Sequence, residues 1–286
     1  MNERMQSRAT LERELQSALT NQEFELYYQP IVGLKENKIT SFEALLRWRH
    51  PTRGMISPAE FIPIAEETGF IVPLGEWVLR QACTEAASWP EEISVAVNVS
   101  SVQLTSSNLA NTVIGAIASA GLQGDRLIIE VTESVFLENT AANLGSLKCL
   151  HELGVRFAMD DFGTGYSSLG YLLSFPFSKI KIDRSFISDL ADKMESRAVV
   201  RAVVDLARSL KMQVVAEGVE TNAQLEQLRR LGCGEMQGYL FSPARPAAEI
   251  DRLLAPQHKQ LVKLPVSPSQ PLAVARHSKA AARRRV

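Results

Sequence analysis

Eight short apolar runs constrain the fold of this chain more than any other feature. Each run is rich in β-branched and aromatic residues, and from the second run onward a segment with helical periodicity separates each neighbouring pair. The runs occupy residues 24–32, 39–48, 93–100, 126–133, 155–162, 179–186, 213–220 and 235–241. Alternating apolar strands and helices predict a parallel sheet that is covered on both faces. Eight such units in about 240 residues predict an α/β fold, the TIM-like (β/α)8 barrel.

The first two runs depart from this alternation. They are separated by residues 33–38 alone, whereas a crossover between parallel strands needs about a dozen residues or more. We therefore expect the first strand of the barrel to run antiparallel to the second. Two helices, near 58–68 and 71–88, are predicted before the third run.

The pattern indicates one large domain with a short segment at each end. Residues 1–20 predict a helical lead-in, and residues 21–255 predict the barrel domain. Residues 256–286 are rich in proline, serine and basic side chains. A segment of this composition cannot bury enough apolar surface to fold alone, so we expect it to be disordered.

The net charge of −1 conceals an uneven distribution. The segment 256–286 carries seven basic residues and no acidic ones, which leaves 24 basic and 32 acidic residues in 1–255. An acidic body argues against a nucleic acid polymer as the main ligand. If the substrate is a phosphate ester, cations must offset the charges of both partners, which points weakly to bound metal.

Cysteine usage and the N-terminus predict a cytoplasmic protein. Cys83, Cys149 and Cys233 are far apart and odd in number, so no disulfide framework or zinc motif is visible. The first residues are polar and lack the apolar core of a signal peptide. No apolar stretch reaches the length of about 18 residues that a transmembrane helix needs.

Polar side chains interrupt the apolar runs from the second onward, each time towards the end of the run. A strand that is buried on both faces is expected to be apolar, so these exceptions are informative. They are Glu43, Asn98, Glu130, Asp160 with Asp161, Lys181, Glu217 and Gln237. Because barrel enzymes build their active sites at the carboxyl ends of the strands, we expect these side chains to converge at one mouth.

This set of residues suits divalent cations and chemistry at phosphorus. Converging carboxylates repel one another, and bound cations remove that repulsion. Oxygen ligands without His or Cys fit Mg²⁺ or Mn²⁺ better than Zn²⁺. The adjacent Asp160 and Asp161 can serve two ions, and ions about 3.5–4 Å apart support in-line displacement at phosphorus. Lys181 can then hold and orient the attacking water.

Taken singly, each residue also has an ordinary structural explanation. Asn98 could cap a loop, and Lys181 with Asp183 could form an exposed ion pair that contributes about 0–1 kcal/mol. An enolase-like barrel, with acidic ligands around Mg²⁺ and a lysine base, is a further interpretation that the residues alone leave open. The recurrence of polar endings on consecutive strands favours a shared site over the separate explanations.

The runs and their connections also carry motifs that closely resemble the EAL domain. The motif that names this family stands here as Glu43-Ala44-Leu45. The other family motifs are YYQPIV (27–32), FIPIAEETG (61–69), NVS (98–100), EVTES (130–134), DDFGTGYSSL (160–169), KIDR (181–184), AEGVE (216–220) and QGYLFS (237–242). The resemblance covers residues from about 10 to 255, and so many motifs in order make it specific.

The resemblance implies a phosphodiesterase that opens cyclic di-GMP to linear 5′-pGpG with two Mg²⁺ or Mn²⁺ ions. It implies ligands for one ion at Glu43, Asn98, Glu130 and Asp160, and for the second ion at Asp160, Asp161 and Glu217. Two catalytic roles follow from it, with Lys181 on the attacking water and Glu220 on a metal-bound water. Substrate contacts are implied for Arg47 at a phosphate and for Gln29 and Gln237 at the dinucleotide.

Coupling to other molecules is implied as well. In the family, Glu133 anchors the loop that begins at Asp160 and links the metal site to a homodimer face. The start of the chain resembles the junction to a preceding GGDEF or sensor domain, so we expect any regulatory input to be missing or to come from a protein partner. The alternative function is a catalytically silent cyclic di-GMP receptor that acts through such a partner. The complete set of family residue types favours the active enzyme.

Overall fold

The computed structural model describes residues 2–106, 108–133, 141–163 and 169–255, so the predicted disordered segment 256–286 lies outside the described residues. Ten strands are described, and eight of them close a barrel. They are β1 (Phe24–Gly33), β2 (Lys38–His50), β3 (Gly54–Ile56), β4 (Ser94–Asn98), β5 (Leu127–Thr132), β6 (Arg156–Phe162), β7 (Lys179–Ile182), β8 (Gln213–Ala216), β9 (Glu235–Gln237) and β10 (Arg245–Pro246).

Helices cover the outside of this barrel. The α-helices span Asn2–Ala18, Pro58–Glu67, Ile71–Ala87, Ser101–Thr105, Leu109–Ala120, Ala141–Glu152, Leu169–Ser174, Arg184–Ser188, Met194–Ser209, Asn222–Leu231 and Ile250–Leu254, and 3-10 helices span Gly124–Arg126 and Ala247–Glu249. None of the helices in the described part of the chain is long and apolar enough to cross a membrane.

The first strand of the barrel runs antiparallel to its neighbours, as predicted for β1 and β2. β1 pairs antiparallel with β2, from Phe24 opposite Trp48 to Gly33 opposite Lys38, and antiparallel with β9. The neighbouring barrel strands from β2 round to β9 are parallel. The prediction of a TIM-like barrel with an antiparallel first strand is therefore confirmed. The two helices predicted before the third barrel strand are also present.

The structure corrects the ends of three predicted strands. The run 179–186 was expected to be one strand, but β7 ends at Ile182 and a helix begins at Arg184. Asp183 stops the strand because its side chain accepts a hydrogen bond from the amide of Ser185 at 3.0 Å and so caps this helix. β8 and β9 likewise end at Ala216 and Gln237, before the predicted ends of their runs. The short edge strands β3 and β10 were not predicted.

The interior of the barrel has an apolar waist between two polar ends. Ala96, Ile128 and Ala158 form a separate buried cluster at the waist. Towards the amino ends of the strands, Lys179 and Glu235 form a buried ion pair that the apolar pattern did not predict. The apolar waist residues separate this pair from the polar groups at the carboxyl ends, where barrel enzymes place their sites.

The lead-in helix Asn2–Ala18 packs against the barrel. Its residues Leu11, Leu15 and Ala18 are buried in one apolar cluster with Trp48 of β2 and Phe61 of the following helix. At about 25 cal/mol per Å² of apolar surface removed from water, these side chains stabilise the helix against the strand that carries Glu43.

Arg126 fixes the end of the helix Ile71–Ala87. Its buried guanidinium donates to the main-chain oxygens of Ala86 at 2.7 Å, Pro90 at 3.1 Å and Ile93 at 2.9 Å. The last carbonyl groups of a helix lack partners within the helix, and a cation there also interacts favourably with the helix dipole. One side chain therefore satisfies several buried acceptors.

We expect Arg126→Met to lower the free energy of unfolding by about 2–4 kcal/mol, because several charge-assisted hydrogen bonds are lost and their carbonyl acceptors stay buried. Urea denaturation followed by circular dichroism measures the change. The control is Arg80→Met, on the helix Ile71–Ala87 that Arg126 contacts. This substitution removes an exposed ion pair with Glu76, and we expect it to lower the free energy of unfolding by about 0.5 kcal/mol. Equal effects of the two substitutions would contradict the role of Arg126.

Candidate metal and catalytic site

Four of the carboxylates that were expected at the barrel mouth surround Lys181. The Nζ atom of Lys181 lies 2.7 Å from Glu130 Oε2, 2.8 Å from Glu217 Oε1, 3.3 Å from Asp160 Oδ2 and 3.4 Å from Glu43 Oε2. The strand register brings these side chains to the same end of the barrel, since Asn98 lies opposite Glu130, and Asp160 lies opposite Thr132, two residues after Glu130. The Lys181 side chain is 1% exposed, so its charge is held almost wholly by protein groups.

Side-chain amides hold Glu43 from two sides. Asn98 Nδ2 donates to Glu43 Oε1 at 2.7 Å, and Gln237 Nε2 donates to Glu43 Oε2 at 2.7 Å. Gln237 Nε2 also donates to Gln29 Oε1 at 3.1 Å, so four of the predicted residues form one network. The buried Oε1 atom of Gln237 has no hydrogen-bond partner among the described residues. A buried acceptor without a partner is the kind of group that a bound ligand or water completes.

A β-bulge brings the two adjacent aspartates to the same mouth. In a regular strand, neighbouring side chains point to opposite faces. The register of β6 and β7 shifts between Met159 and Phe162, and Asp161 has a φ of 54°. The amide of Asp161 donates to Asp160 Oδ1 at 2.9 Å and stabilises this turn of the chain. The bulge is what allows both carboxylates to serve one site, and bulges commonly re-aim side chains beside active sites.

The bulge creates a group of carboxylates with metal-ligand spacing. Asp160, Asp161 and Glu217 each offer an oxygen atom, and these atoms lie within 4.8 Å of one another. Glu43, Asn98 and Glu130 extend the group on the other side of Asp160. The donors are oxygen atoms throughout, which is the set that Mg²⁺ and Mn²⁺ prefer. The residues present therefore fit divalent cations.

The electrostatics of the cluster also favour cations. The pKa of Glu217 is raised to about 7, chiefly by burial, with Asp160 and Glu43 adding to the effect and Lys181 opposing it. Burial likewise raises the pKa of Glu130 well above its usual range. Divalent cations reverse this tendency because they favour the ionised carboxylate.

For Lys181 and Glu43, nearby charges and hydrogen bonds outweigh burial, so the charged form of each side chain is favoured. Burial disfavours the Lys181 ammonium, but Glu130 and Glu217 outweigh burial and raise its pKa well above the usual value. For Glu43, burial is outweighed by Lys181 and the amide of Gln237, so its pKa is lowered. Protein groups alone therefore keep Lys181 charged, and the ammonium is the cation that now balances the surrounding carboxylates.

The remaining predicted residues lie around this cluster. Arg47 follows Glu43 on β2, and its guanidinium lies over the ring of Tyr27 at 5.5 Å. Glu220 lies beyond the end of β8 with an exposed side chain, and it forms no ion pair with Lys181 in the described part of the chain. Glu133 is buried next to the end of β5. The loop that Glu133 is predicted to anchor includes 164–168, which lie outside the described residues, so that role stays a prediction.

A cavity that sequence reasoning missed adjoins the cluster. Its volume is about 560 Å³, and Asn98 and Glu130 line it together with Arg47. Its walls are otherwise largely apolar, with Glu66 and Gln103 as further polar groups. The signals that could have found it are the FIPIAEETG motif, which supplies Glu66, and the capping pair of Ser100 and Gln103, which follows Asn98.

Comparisons with known proteins agree with this geometry. The family model described as EAL domain matches residues 12–244. The chain is 52% identical over 254 residues to an uncharacterized protein, y4lL, of Sinorhizobium fredii, covering 89% of this chain and 31% of that one. It is 43% identical over 254 residues to the bifunctional diguanylate cyclase/cyclic di-GMP phosphodiesterase MucR of Pseudomonas aeruginosa, covering 87% of this chain and 37% of that one.

A solved structure described as the PaMucR phosphodiesterase in complex with c-di-GMP superposes with a TM-score of 0.81 at 44% identity, covering 84% of this chain and 99% of that one. The chain thus spans about a third of the length of the two relatives, 31% and 37%, but nearly all of the phosphodiesterase unit in the solved structure. The TIM-like fold predicted from the alternation of strands and helices is the fold observed.

Proposed function

Because the chain belongs to the EAL domain family, we propose that it is a metal-dependent phosphodiesterase that hydrolyses cyclic di-GMP to linear 5′-pGpG. The observation that carries this proposal is the cluster around Lys181, in which Asp160, Asp161 and Glu217 place their oxygen atoms within 4.8 Å of one another. Further support comes from MucR, whose name includes this activity, and from the similar structure in complex with c-di-GMP.

Two Mg²⁺ or Mn²⁺ ions would complete the cluster. Glu43, Asn98, Glu130 and Asp160 would hold one ion, and Asp160, Asp161 and Glu217 would hold the other. When bound, such a pair of ions polarises the phosphate and stabilises charge on the attacking and leaving oxygens. The unpartnered Gln237 Oε1 and the raised pKa of Glu217 are the features of this chain that support a bound group.

Lys181 would position the attacking water. Its ammonium now donates to carboxylates that cations would engage, which leaves it free to donate to the water instead. Glu220, at the exposed edge, would accept a hydrogen bond from a water at the site. The oxygen of the water would bond to phosphorus as the P–O3′ bond breaks. The water would release its protons to solvent and the O3′ leaving group would take one up, which gives a 5′-phosphate and a free 3′-hydroxyl.

Substrate binding would use the mouth and the adjoining cavity. Arg47 would contact a phosphate, and Gln29 and Gln237 would seat the dinucleotide. The cavity of about 560 Å³ would take one guanine base between its apolar walls. Glu66 lines this cavity, and a carboxylate can accept hydrogen bonds from the Watson–Crick edge of guanine. A homodimer and a regulatory protein partner, both implied by the family resemblance, stay predictions.

We expect hydrolysis of cyclic di-GMP with Mg²⁺ or Mn²⁺ and little hydrolysis with Ca²⁺. Ca²⁺ prefers longer bonds and more ligands, so it would disturb the spacing that in-line attack requires. Chromatography of the nucleotides after incubation with each ion measures the effect. Excess chelator should abolish the activity and added Mn²⁺ should restore it, whereas a full rate in chelator would contradict the metal-dependent mechanism.

A further inference from the structure

The segment Glu217–Glu220, which carries two of the proposed site carboxylates, is held tightly outside the regular sheet. Gly218 has a φ of 66°, and a Cβ atom there would lie 2.6 Å from the Cβ of Arg184. The amide of Val219 donates to the oxygen of Gln237 at 3.0 Å. A Cβ atom at Gly238 would lie 2.1 Å from the oxygen of Val219, so only glycine permits this approach.

The buried side chain of Gln224 provides a third support for this segment, in addition to the contacts of Gly218 and Gly238. Gln224 Oε1 accepts hydrogen bonds from the amides of Glu220 at 2.8 Å and Thr221 at 2.9 Å. Its Nε2 atom donates to the main-chain oxygen of Ser188 at 3.3 Å. Gln224 is 6% exposed, so these contacts are shielded from water. The carboxamide therefore joins the segment after β8 to the helix Arg184–Ser188, which follows Lys181.

A helix cap explains only part of this arrangement. In a capping box, the side chain at the third helical position accepts from the amide of the cap residue, here Thr221, and Glu performs this as well as Gln. The bonds to Glu220 and to Ser188 go beyond the cap. Only a carboxamide can accept at one atom and donate to the Ser188 carbonyl at the other, since a carboxylate would face that carbonyl with a second acceptor.

We propose that Gln224 is a positioning residue that sets Glu217 and Glu220 relative to Lys181 and the aspartates of β6. This inference rests on the proposed function. Gln224 touches neither substrate nor ion in this account, and it acts through the main chain of Glu220 and the helix after β7. Outer contacts of this kind orient metal ligands, and their loss typically costs about 10- to 100-fold in metal affinity or activity.

The test compares Gln224→Glu with Gln227→Glu by calorimetry of Mn²⁺ binding. Gln224→Glu keeps the helix cap and the shape of the side chain but loses the bond to Ser188, and we expect about 10- to 100-fold weaker Mn²⁺ binding. Gln227→Glu adds the same charge to the same helix at a half-buried position, and we expect a change of no more than about twofold. Equal Mn²⁺ affinity in both variants would overturn the proposal.

Two further measurements keep the result decisive. Circular dichroism identifies a temperature at which all variants are folded. Weaker Mn²⁺ binding at that temperature then reflects a change in the site and not unfolding. Gln224→Leu removes all three hydrogen bonds and should weaken Mn²⁺ binding at least as much as Gln224→Glu; tighter binding than in Gln224→Glu would overturn the proposal. Calorimetry needs no turnover, so a chain that binds Mn²⁺ without hydrolysing cyclic di-GMP counts against the proposed function and leaves the test of Gln224 intact.

Discussion

Replacing Lys181 by alanine is expected to reduce kcat for cyclic di-GMP by about 100- to 1,000-fold, the range for loss of one positioned hydrogen-bond donor in an active site. KM should change far less, because the proposed partner of Lys181 is the attacking water and not the substrate. In chelator, the variant should unfold at a lower temperature, since Glu130, Glu217 and their neighbours lose the ammonium at 2.7–3.4 Å that balances them.

Steady-state kinetics at saturating Mn²⁺ and thermal unfolding in chelator measure these two effects. The matched control is Lys179→Met, which removes a second buried lysine of the same strand, one that pairs with Glu235 at the other end of the barrel. Loss of that pair should lower stability by about 3–5 kcal/mol while the folded fraction keeps its kcat. A Lys181→Ala enzyme with unchanged kcat would remove Lys181 from the mechanism.

Asp160→Asn is expected to weaken Mn²⁺ binding by more than about 100-fold. Substitution of a residue that only supports the metal ligands typically costs about 10- to 100-fold, and loss of a ligand itself should cost more. Asp160 is the proposed ligand of both ions, and the substitution removes its charge. The asparagine oxygen can still accept the hydrogen bond from the amide of Asp161, so the bulge is expected to persist. Activity should fall with metal binding, because the remaining carboxylates then hold fewer ions at the same Mn²⁺ concentration.

Calorimetry with Mn²⁺ measures this loss, and Asp183→Asn is the control. Asp183 lies two residues after Lys181 and caps the helix Arg184–Ser188, and asparagine caps helices as well as aspartate does. The control should therefore change Mn²⁺ affinity by no more than about twofold. Mn²⁺ binding by Asp160→Asn that equals the wild type would show that the ions are held elsewhere.

The barrel and its mouth were predictable because both follow from local patterns. Apolar runs of strand length identified the barrel strands, and the six-residue connection 33–38 forced β1 to be antiparallel. Asn98 and Glu130 meet because they are direct partners at the carboxyl ends of neighbouring parallel strands. Glu43 lies opposite Ala96, nearer the middle of the longer strand β2, and reaches Asn98 through its side chain. The family motifs added roles to these residues, and those roles stay predictions.

The features that the sequence did not predict depend on backbone geometry and on distant partners. The bulge at Asp161 reverses the alternation on which the strand pattern rests, so the pattern could place both aspartates near the mouth but not explain how. Asp183 caps a helix, so β7 ends at Ile182 although the predicted run continued to residue 186. In the sequence, Gln224 has the position of an ordinary capping-box partner of Thr221. Its hydrogen bond to Ser188, 36 residues away, depends on the folded chain.

The most direct test of this account is hydrolysis of cyclic di-GMP by the whole chain in water enriched in the heavy oxygen isotope, with Mn²⁺ present. Mass spectrometry of the products reports both the bond that breaks and the source of the new oxygen. The account predicts linear pGpG with a heavy oxygen atom in its 5′-phosphate, and no product when Lys181 is replaced by alanine over the same time. Binding of cyclic di-GMP without any linear product would contradict it and would identify a silent receptor.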